Sequence, residues 1–322
     1  MVSSEPWRIW ALTTGEIGMQ SQALGLAEAI GGEITLKIVQ AKAPWRWMPG
    51  HWAPKRLGMV IANASELAGK PPDLVISCGR RSVPAALALR GSGVLAVHVQ
   101  TPGVPPQAFD LVVPPRHDGL AGANVLPTKT AIHRITPERL RAAADEWRPH
   151  FADDGRPRIV VLVGGKSGAF AFGETDARDL ASKLAKLRDT GAALLVTTSR
   201  RTGDENTLLL REALPDAYFW TGENDGPNPY FGLLGLADHI IATCDSASMV
   251  SEACSTGKPV HIIELPGGNK RFRAFLDGLY KDHFAKPFDG APLAEWVYNP
   301  PNDTAKVAVV VQQMLAARKS NL

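Results

Sequence analysis

The chain has 322 residues, a length that predicts two domains of ordinary size. Its 45% hydrophobic and 21% charged residues can build a core in each half and exclude a disordered or fibrous chain. A formal net charge of +3 is too small to argue for nucleic acid, but residues 1–150 hold 16 Lys and Arg against 11 Asp and Glu, while residues 151–322 hold 19 against 21. The first half therefore leans toward an anionic surface or substrate. In chain order, residues 8–13 read as a strand and 20–30 as a helix with Leu24, Leu26, Ala27 and Ile30 apolar. A strand at 33–39, a helix at 56–67, a strand at 73–77, a helix at 83–90 and strands at 94–100 and 110–113 follow. Residues 137–147 form a helix, with Pro137 at its first position and Thr136 as its cap.

The stretch 149–157, rich in Pro, Gly and Asp, reads as a linker and sets the expected domains at 1–150 and 151–322. The second half restarts with a strand at 158–163 and a helix at 175–190. A strand at 192–198, a helix at 204–214, a short strand at 217–220 and a short helix at 230–236 come next. The run 239–243 is apolar and β-branched, as a strand covered on both faces should be. Asp245, Ser246 and Ser248 then supply helix-start chemistry, and Gly257 and Pro259 stop that helix before a strand that opens at Val260. Helices at 271–281 and 304–318 end the series, the last a candidate to pack back on the first domain. This alternation predicts an α/β chain of two Rossmann-like domains with parallel sheets facing a cleft, and ligands outside the carboxyl ends of the strands.

Several loops at those ends carry chemistry. The turn after the first strand holds Gly15 and Gly18, which let backbone approach a ligand but lack a dinucleotide fingerprint. Gly164, Gly165, Lys166 and Ser167 follow the strand 158–163. Their spacing is not that of a P-loop, yet exposed amides and one cation suit a pyrophosphate. Ser199, Arg200, Arg201 and Thr202 place two guanidinium groups where they could meet phosphate or carboxylate. Asn228 starts a short helix in which Tyr230 could stack on a base; Trp220 reads as core. Asp245, Ser246, Ser248 and Met249 form a helix start suited to a phosphate, with Glu252 one turn inside, within reach of a ribose hydroxyl. His117 beside Asp118 is the acid/base candidate, with Arg80 and Arg81 aimed at the same cleft. Residues 45–56 combine three tryptophans with cations. Exposed, that segment fits a membrane interface or a lipid-linked substrate; folded down, it is a hydrophobic cap.

Cys78, Cys244 and Cys254 show no metal-ligand spacing and are expected to be reduced core residues of a cytoplasmic protein. No apolar run approaches the roughly 20 residues that span a bilayer, and residues 1–10 lack an apolar signal core.

The block 237–260, together with 199–202, 228–230, 109–118 and 15–22, resembles the mitochondrial-fission Elm-one family over nearly the whole chain. One departure is the first loop, Thr-Thr-Gly-Glu-Ile-Gly-Met-Gln, where relatives more often carry Asp-Gly and Asn; it gives no support to a ligand role for Glu16 or Met19. In fold that family is similar to GT-B glycosyltransferases, among them the GlcNAc transferase that makes the lipid-linked peptidoglycan precursor. The similarity implies Glu252 on the ribose of a sugar nucleotide, Ser246 and Ser248 near phosphate, and 164–167 along the cleft. A plant relative implicated in recruiting a dynamin-like fission protein implies an adaptor role instead.

The expected function is a metal-independent, inverting-type transfer of a sugar from a nucleotide-diphosphate donor, with no cofactor. His117 or Asp118 would act as base, and Arg200 and Arg201 would stabilise the leaving group. The alternatives are an adaptor with a vestigial nucleotide site and a sugar-nucleotide epimerase drawing on Asp118, His117, Glu16 and His98. The partners expected are the nucleotide sugar, a membrane surface or lipid-linked acceptor, and a protein, without nucleic acid, in the cytoplasm at the periphery of the inner membrane.

Overall fold

A computed structural model describes residues 5–45, 57–90, 93–288, 290 and 292–320. The chain forms two compact units, Met1–Arg134 with Asn302–Leu322, and Ile135–Pro301. In the first, strands β1 (Arg8–Thr13), β2 (Glu33–Ile38), β3 (Leu74–Cys78), β4 (Leu95–Val99) and β5 (Leu111–Val113) make one parallel sheet in the order β2-β1-β3-β4-β5. Helix α1 (Ile17–Ile30) follows β1, the short α2 (Leu57–Val60) follows β2, and α3 (Val83–Arg90) follows β3. Alternation along the central strands explains their largely apolar sequence. Ile9, Ala11, Leu74, Ile76, Leu95 and Val97 pack with Leu26 of α1 and with Val307, Val311 and Leu315 of the last helix, α10 (Asp303–Ser320). Trp10, Leu12, Val75 and Ala96 pack with Val83, Ala86 and Leu89 of α3. Both faces of the central strands are covered, so most of their positions are apolar.

The start of α10 is fixed by its first residue. Asp303 Oδ2 accepts the backbone N–H groups of Lys129 at 2.8 Å and Thr130 at 2.9 Å. A carboxylate at a helix N-terminus also meets the positive end of the helix dipole. The helix that closes the chain thus completes the core of the unit that opens it.

His98 of β4 is fully buried, its Nδ1 2.8 Å from Ser77 Oγ and its ring 5.0 Å from that of Phe109. Burial pushes its pKa down to about 3, so the folded state holds it neutral.

In the second unit, β6 (Arg158–Val163), β7 (Ala193–Thr198), β8 (Tyr218–Trp220), β9 (His239–Thr243), β10 (Val260–Ile263) and the two-residue β11 (Lys286–Pro287) form a parallel sheet in the order β11-β10-β9-β6-β7-β8. Its helices are α4 (Pro137–Trp147), α5 (Glu174–Asp189), α6 (Asp204–Ala213), α7 (Tyr230–Leu236), α8 (Ala247–Cys254) and α9 (Lys270–Lys281). The strand order reverses between β6 and β9, the place where open α/β sheets present a crevice. Both units align their first strand by the same device. Asp73 Oδ2 accepts the N–H of Arg8, and Asp238 Oδ2 accepts the N–H of Arg158, each at 2.8 Å.

Three expectations are corrected. The units divide at Arg134 and Ile135, not in the stretch 149–157, because α4 packs on α7 and belongs to the second unit. The helix expected at 56–67 is a short α2 and a separate 3-10 turn, Ala64–Leu67, with Asn63 breaking it: its side chain accepts the N–H of Gln40 and donates to Ile38 O. Helix α1 begins at Ile17, ahead of the expected start, and takes in Gly18. Of the tryptophan-rich segment, Trp45 donates its indole N–H to Met59 O, while 46–56 lie outside the described residues.

Two outcomes follow. Ala exceeds Gly in helix propensity by about 1 kcal/mol. A Cβ on Gly235 of α7, however, would lie 2.4 Å from the backbone oxygen of Leu140 in α4. Gly235→Ala is therefore expected to destabilise by about 1–3 kcal/mol, read as a fall of several degrees in the thermal midpoint. His98 gives a pH signature. The unfolded imidazole takes a proton below its ordinary value near 6.5, whereas the folded one resists until about 3. Stability is present above pH 6.5 and is lost as pH falls toward 3, by a few kcal/mol at most. Replacing His98 with Gln should flatten this part of the acid limb of a denaturation-versus-pH curve.

Candidate nucleotide site

The loops after β6, β7 and β9 meet on one carboxylate. Asp245 has a fully buried side chain; its Oδ2 accepts the N–H of Gly165 at 3.0 Å and pairs with Arg201 Nη1 at 2.7 Å. Its Oδ1 accepts the hydroxyl of Thr243 at 2.6 Å, and Thr243 Oγ1 in turn accepts the N–H of Gly164 at 2.8 Å. The β7 loop is sewn to the same place, since Ser199 Oγ donates to Gly164 O at 3.0 Å and Thr202 Oγ1 donates to it at 2.5 Å. Glycine is required here by proximity. A Cβ on Gly164 would fall 2.2 Å from Asp245 Oδ1, and one on Gly165, whose φ is +148°, would fall 2.2 Å from Arg201 O.

This geometry corrects the expectation that the amides of the glycine loop are exposed. Gly164 and Gly165 give their amides to Thr243 and Asp245, Lys166 gives its N–H to Arg201 O at 3.0 Å, and Ser167 gives its N–H to Phe170 O at 2.9 Å. The four amides expected to be exposed are all used inside the protein. The Arg201 guanidinium is paired with Asp245 and keeps 40% of its side-chain surface exposed. The side chains of Lys166 and Arg200 are exposed.

Helix α8 starts where the sequence places it. Ser246 is the N-cap and accepts the N–H of Met249 at 3.4 Å, with Ser248 and Met249 half-buried in the first turn. Glu252, one turn in, is buried and accepts the hydroxyl of Tyr230 at 2.7 Å. Burial, and then the Glu252 carboxylate beside it, hold the Tyr230 phenol well above its ordinary pKa. Tyr230 is thus a fixed hydrogen-bond donor to Glu252, which differs from a ring free to stack on a base. Asn228 starts α7 by accepting the N–H of Tyr230 at 2.9 Å.

In the first unit the carboxyl ends of β1 and β5 carry the remaining candidates. Gly15 turns the chain with φ +100° and accepts the Gln20 side-chain amide at 2.7 Å, whereas Gly18 sits inside α1 and is not a loop residue. His117 Nε2 lies 3.7 Å from Asp118 Oδ1, beyond hydrogen-bond range, and Asp118 accepts the hydroxyl of Thr101 through its other oxygen. The three cysteines are buried thiols, with Cys244 pushed up to about 11 by burial. Among the described residues no group of three or more His, Cys, Asp or Glu could hold a metal ion, and no helix is long and apolar enough to cross a membrane.

Sequence reasoning missed Thr243 and the role of Asp245 as a joint. The signal was a hydroxyl at the last strand position with an acid two residues on, beside two glycines that only a close approach demands.

Two parallel-sheet Rossmann-like units with connecting loops of this kind define a GT-B-like fold. The glycosyltransferase SnogD from Streptomyces nogalater shares it with a TM-score of 0.52 and 16% identity, over 97% of this chain and 95% of that one. The UDP-GlcNAc 2-epimerase from Neisseria meningitidis, solved bound to UDP-GlcNAc, matches with a TM-score of 0.52 and 12% identity, over 96% and 99%. The chain belongs to the mitochondrial fission ELM1 family, whose sequence profile matches residues 17–315. Mitochondrial fission protein ELM1 from Arabidopsis thaliana is 31% identical over 278 residues, which are 77% of this chain; the chain spans 65% of the plant protein's length.

The hub predicts an order of effects. Asp245→Ala leaves the buried Gly165 amide without an acceptor, at about 1–3 kcal/mol, and unties Thr243 and Arg201 besides. Arg201→Ala should cost at least as much, since it leaves a fully buried carboxylate without this cation, held by two neutral donors. Denaturant titration of the two variants checks the ranking.

Proposed function

We propose that the second unit binds a nucleotide-diphosphate sugar at the start of α8 and that the chain transfers the sugar without a metal. The observation that carries this reading is buried Glu252, one turn inside a Ser-capped helix at the strand-order reversal, held by the hydroxyl of half-buried Tyr230 of α7. Tyr230 fixes the orientation of the Glu252 carboxyl, and a carboxylate so held can accept both hydroxyls of a ribose. The positive end of α8 faces the diphosphate, which leaves as an anion when the glycosidic bond breaks, and Lys166 and Arg200 add positive charge at the same sheet edge. The candidates for general base are His117 and Asp118, whose carboxylate accepts the hydroxyl of Thr101. Relatives of this fold include an enzyme solved with UDP-GlcNAc, which supports the donor class.

One observation favours a second reading. The glycine loop that would be expected to cradle a diphosphate has closed on Asp245, Arg201 and Phe170. A protein that has given up turnover and kept the frame as an adaptor would look like this, in keeping with the fission role named for its plant relative.

Thermal-shift titration with UDP, GDP, ADP, CDP and dTDP separates the two. A ligand at about 100 times its dissociation constant adds about 2.7 kcal/mol, a rise of several degrees. The donor reading expects one diphosphate to stabilise the wild type, Tyr230→Phe to respond less, and Glu252→Gln to lose most of the shift. No response to any of the five makes the adaptor reading the correct one.

A further inference from the structure

The sheet edges of the two units are guarded unequally. In the second unit the edge strands β8 and β11 are only three and two residues long. In the first, β5 is covered by the chain that follows it, since Val112 donates to Asn124 O and Leu126 donates to Val112 O, each at 2.9 Å. The opposite edge, β2, has six residues. Glu33 donates to Trp7 O and Val39 to Thr13 O, each at 2.8 Å, so odd-numbered residues turn their backbone groups toward β1. Ile34, Leu36 and Ile38 therefore turn theirs outward. At the far end that outer side is closed. Asn63 Nδ2 donates to Ile38 O at 2.7 Å, and its Oδ1 accepts the N–H of Gln40 at 3.1 Å. Among the described residues no group meets the N–H and C=O of Ile34 or Leu36 on that side.

An open edge is a template for another strand, and a protein that keeps such an edge alone blunts it with Pro, a bulge or lysines. The run Glu-Ile-Thr-Leu-Lys-Ile is instead complementary to itself. Antiparallel pairing with a second copy, about a two-fold axis at Thr35, sets Ile34 opposite Leu36, Thr35 opposite Thr35 and Glu33 opposite Lys37. Ile34 and Leu36, whose backbone groups face outward, become the hydrogen-bonded pair. Glu33 and Lys37 take the closer, non-hydrogen-bonded positions, where opposite charges attract. The Glu33 side chain is exposed. The Lys37 ammonium donates to Glu66 O at 2.7 Å; it has three donors, so that contact leaves others for a carboxylate. Sliding the copies by one pleat in either direction takes Glu33 away from Lys37. In one direction it also sets Ile34 against Ile38, whose carbonyl Asn63 already holds.

We infer that β2 is a homodimer interface, at which two copies of the chain pair through residues 33–37 in this register and join their five-stranded sheets into one.

The register is tested with Thr35→Cys in the full chain. Partners at a non-hydrogen-bonded position have Cα atoms about 4.5 Å apart, within reach of a disulfide. The native Cys78, Cys244 and Cys254 are buried and do not compete. Mild oxidation is expected to convert the Thr35→Cys chain to a cross-linked dimer. Glu33→Cys should stay uncrosslinked, because the two copies of position 33 lie about 13 Å apart along the strands. Sedimentation equilibrium then reads the charges. The wild type is expected at twice the mass of one chain, and Glu33→Lys, which sets a cation against Lys37, should weaken the dimer about tenfold. The charge swap Glu33→Lys/Lys37→Glu should restore it. A monomeric wild type overturns the proposal. So does a dimer indifferent to Glu33→Lys, or cross-linking at position 33 equal to that at position 35.

Discussion

The second unit is organised around one buried charge. A carboxylate with no exposed side-chain surface is costly unless it is paired and hydrogen-bonded, and Asp245 satisfies that demand with groups from two other loops and from the end of its own strand. Gly165 comes from the loop after β6, Arg201 from the loop after β7, and Thr243 from β9 itself. Because Gly165 and Arg201 lie on separate connections, the requirement of one side chain fixes both loops relative to the end of β9. The glycines at 164 and 165 are a consequence: only backbone without a Cβ can come this close to the carboxylate and to Arg201.

Most of the fold was legible because both sheets are parallel and covered on two faces. Such strands are largely apolar runs, as 239–243 and 158–163 are. What was not legible was decided by contacts distant in sequence. Nothing near 137–147 shows that this helix packs on α7; the information lies in Gly235, roughly a hundred residues on, which clears the path for Leu140. The helix expected at 56–67 failed for the same kind of reason. Asn63 finds partners in Gln40 and Ile38, and tertiary hydrogen bonds override a weak helical pattern.

The candidate site was legible to a smaller degree. Ser246 as a cap and Glu252 one turn inside follow from local helix chemistry, and the structure has them so. The state of the glycine loop does not follow from local chemistry at all. Exposed amides are the default for a Gly-Gly turn, and only a carboxylate eighty positions later, aimed back into that turn, closes it. Composition was equally silent about charge. A near-neutral half hides exposed cations on three loops, Lys166, Arg200 and Lys270, because summing along a sequence averages over the edge on which a parallel sheet collects its loops.

These two features belong together. Where backbone amides cradle a phosphate, the fold needs few cations, since the donors and the helix dipoles are already aimed. Here the amides of 164–167 are spent on holding the loops, so any attraction for an anion at this edge must come from the first turn of α8 and from side chains. Lys166, Arg200 and Lys270 are exposed at the surface, where their field is screened by salt within about 10 Å at moderate ionic strength. A site built this way draws anions by charge and sorts them less by shape. Its selectivity then rests on the one rigid polar element it retains, the Glu252 carboxyl held by Tyr230 in the interior of the unit.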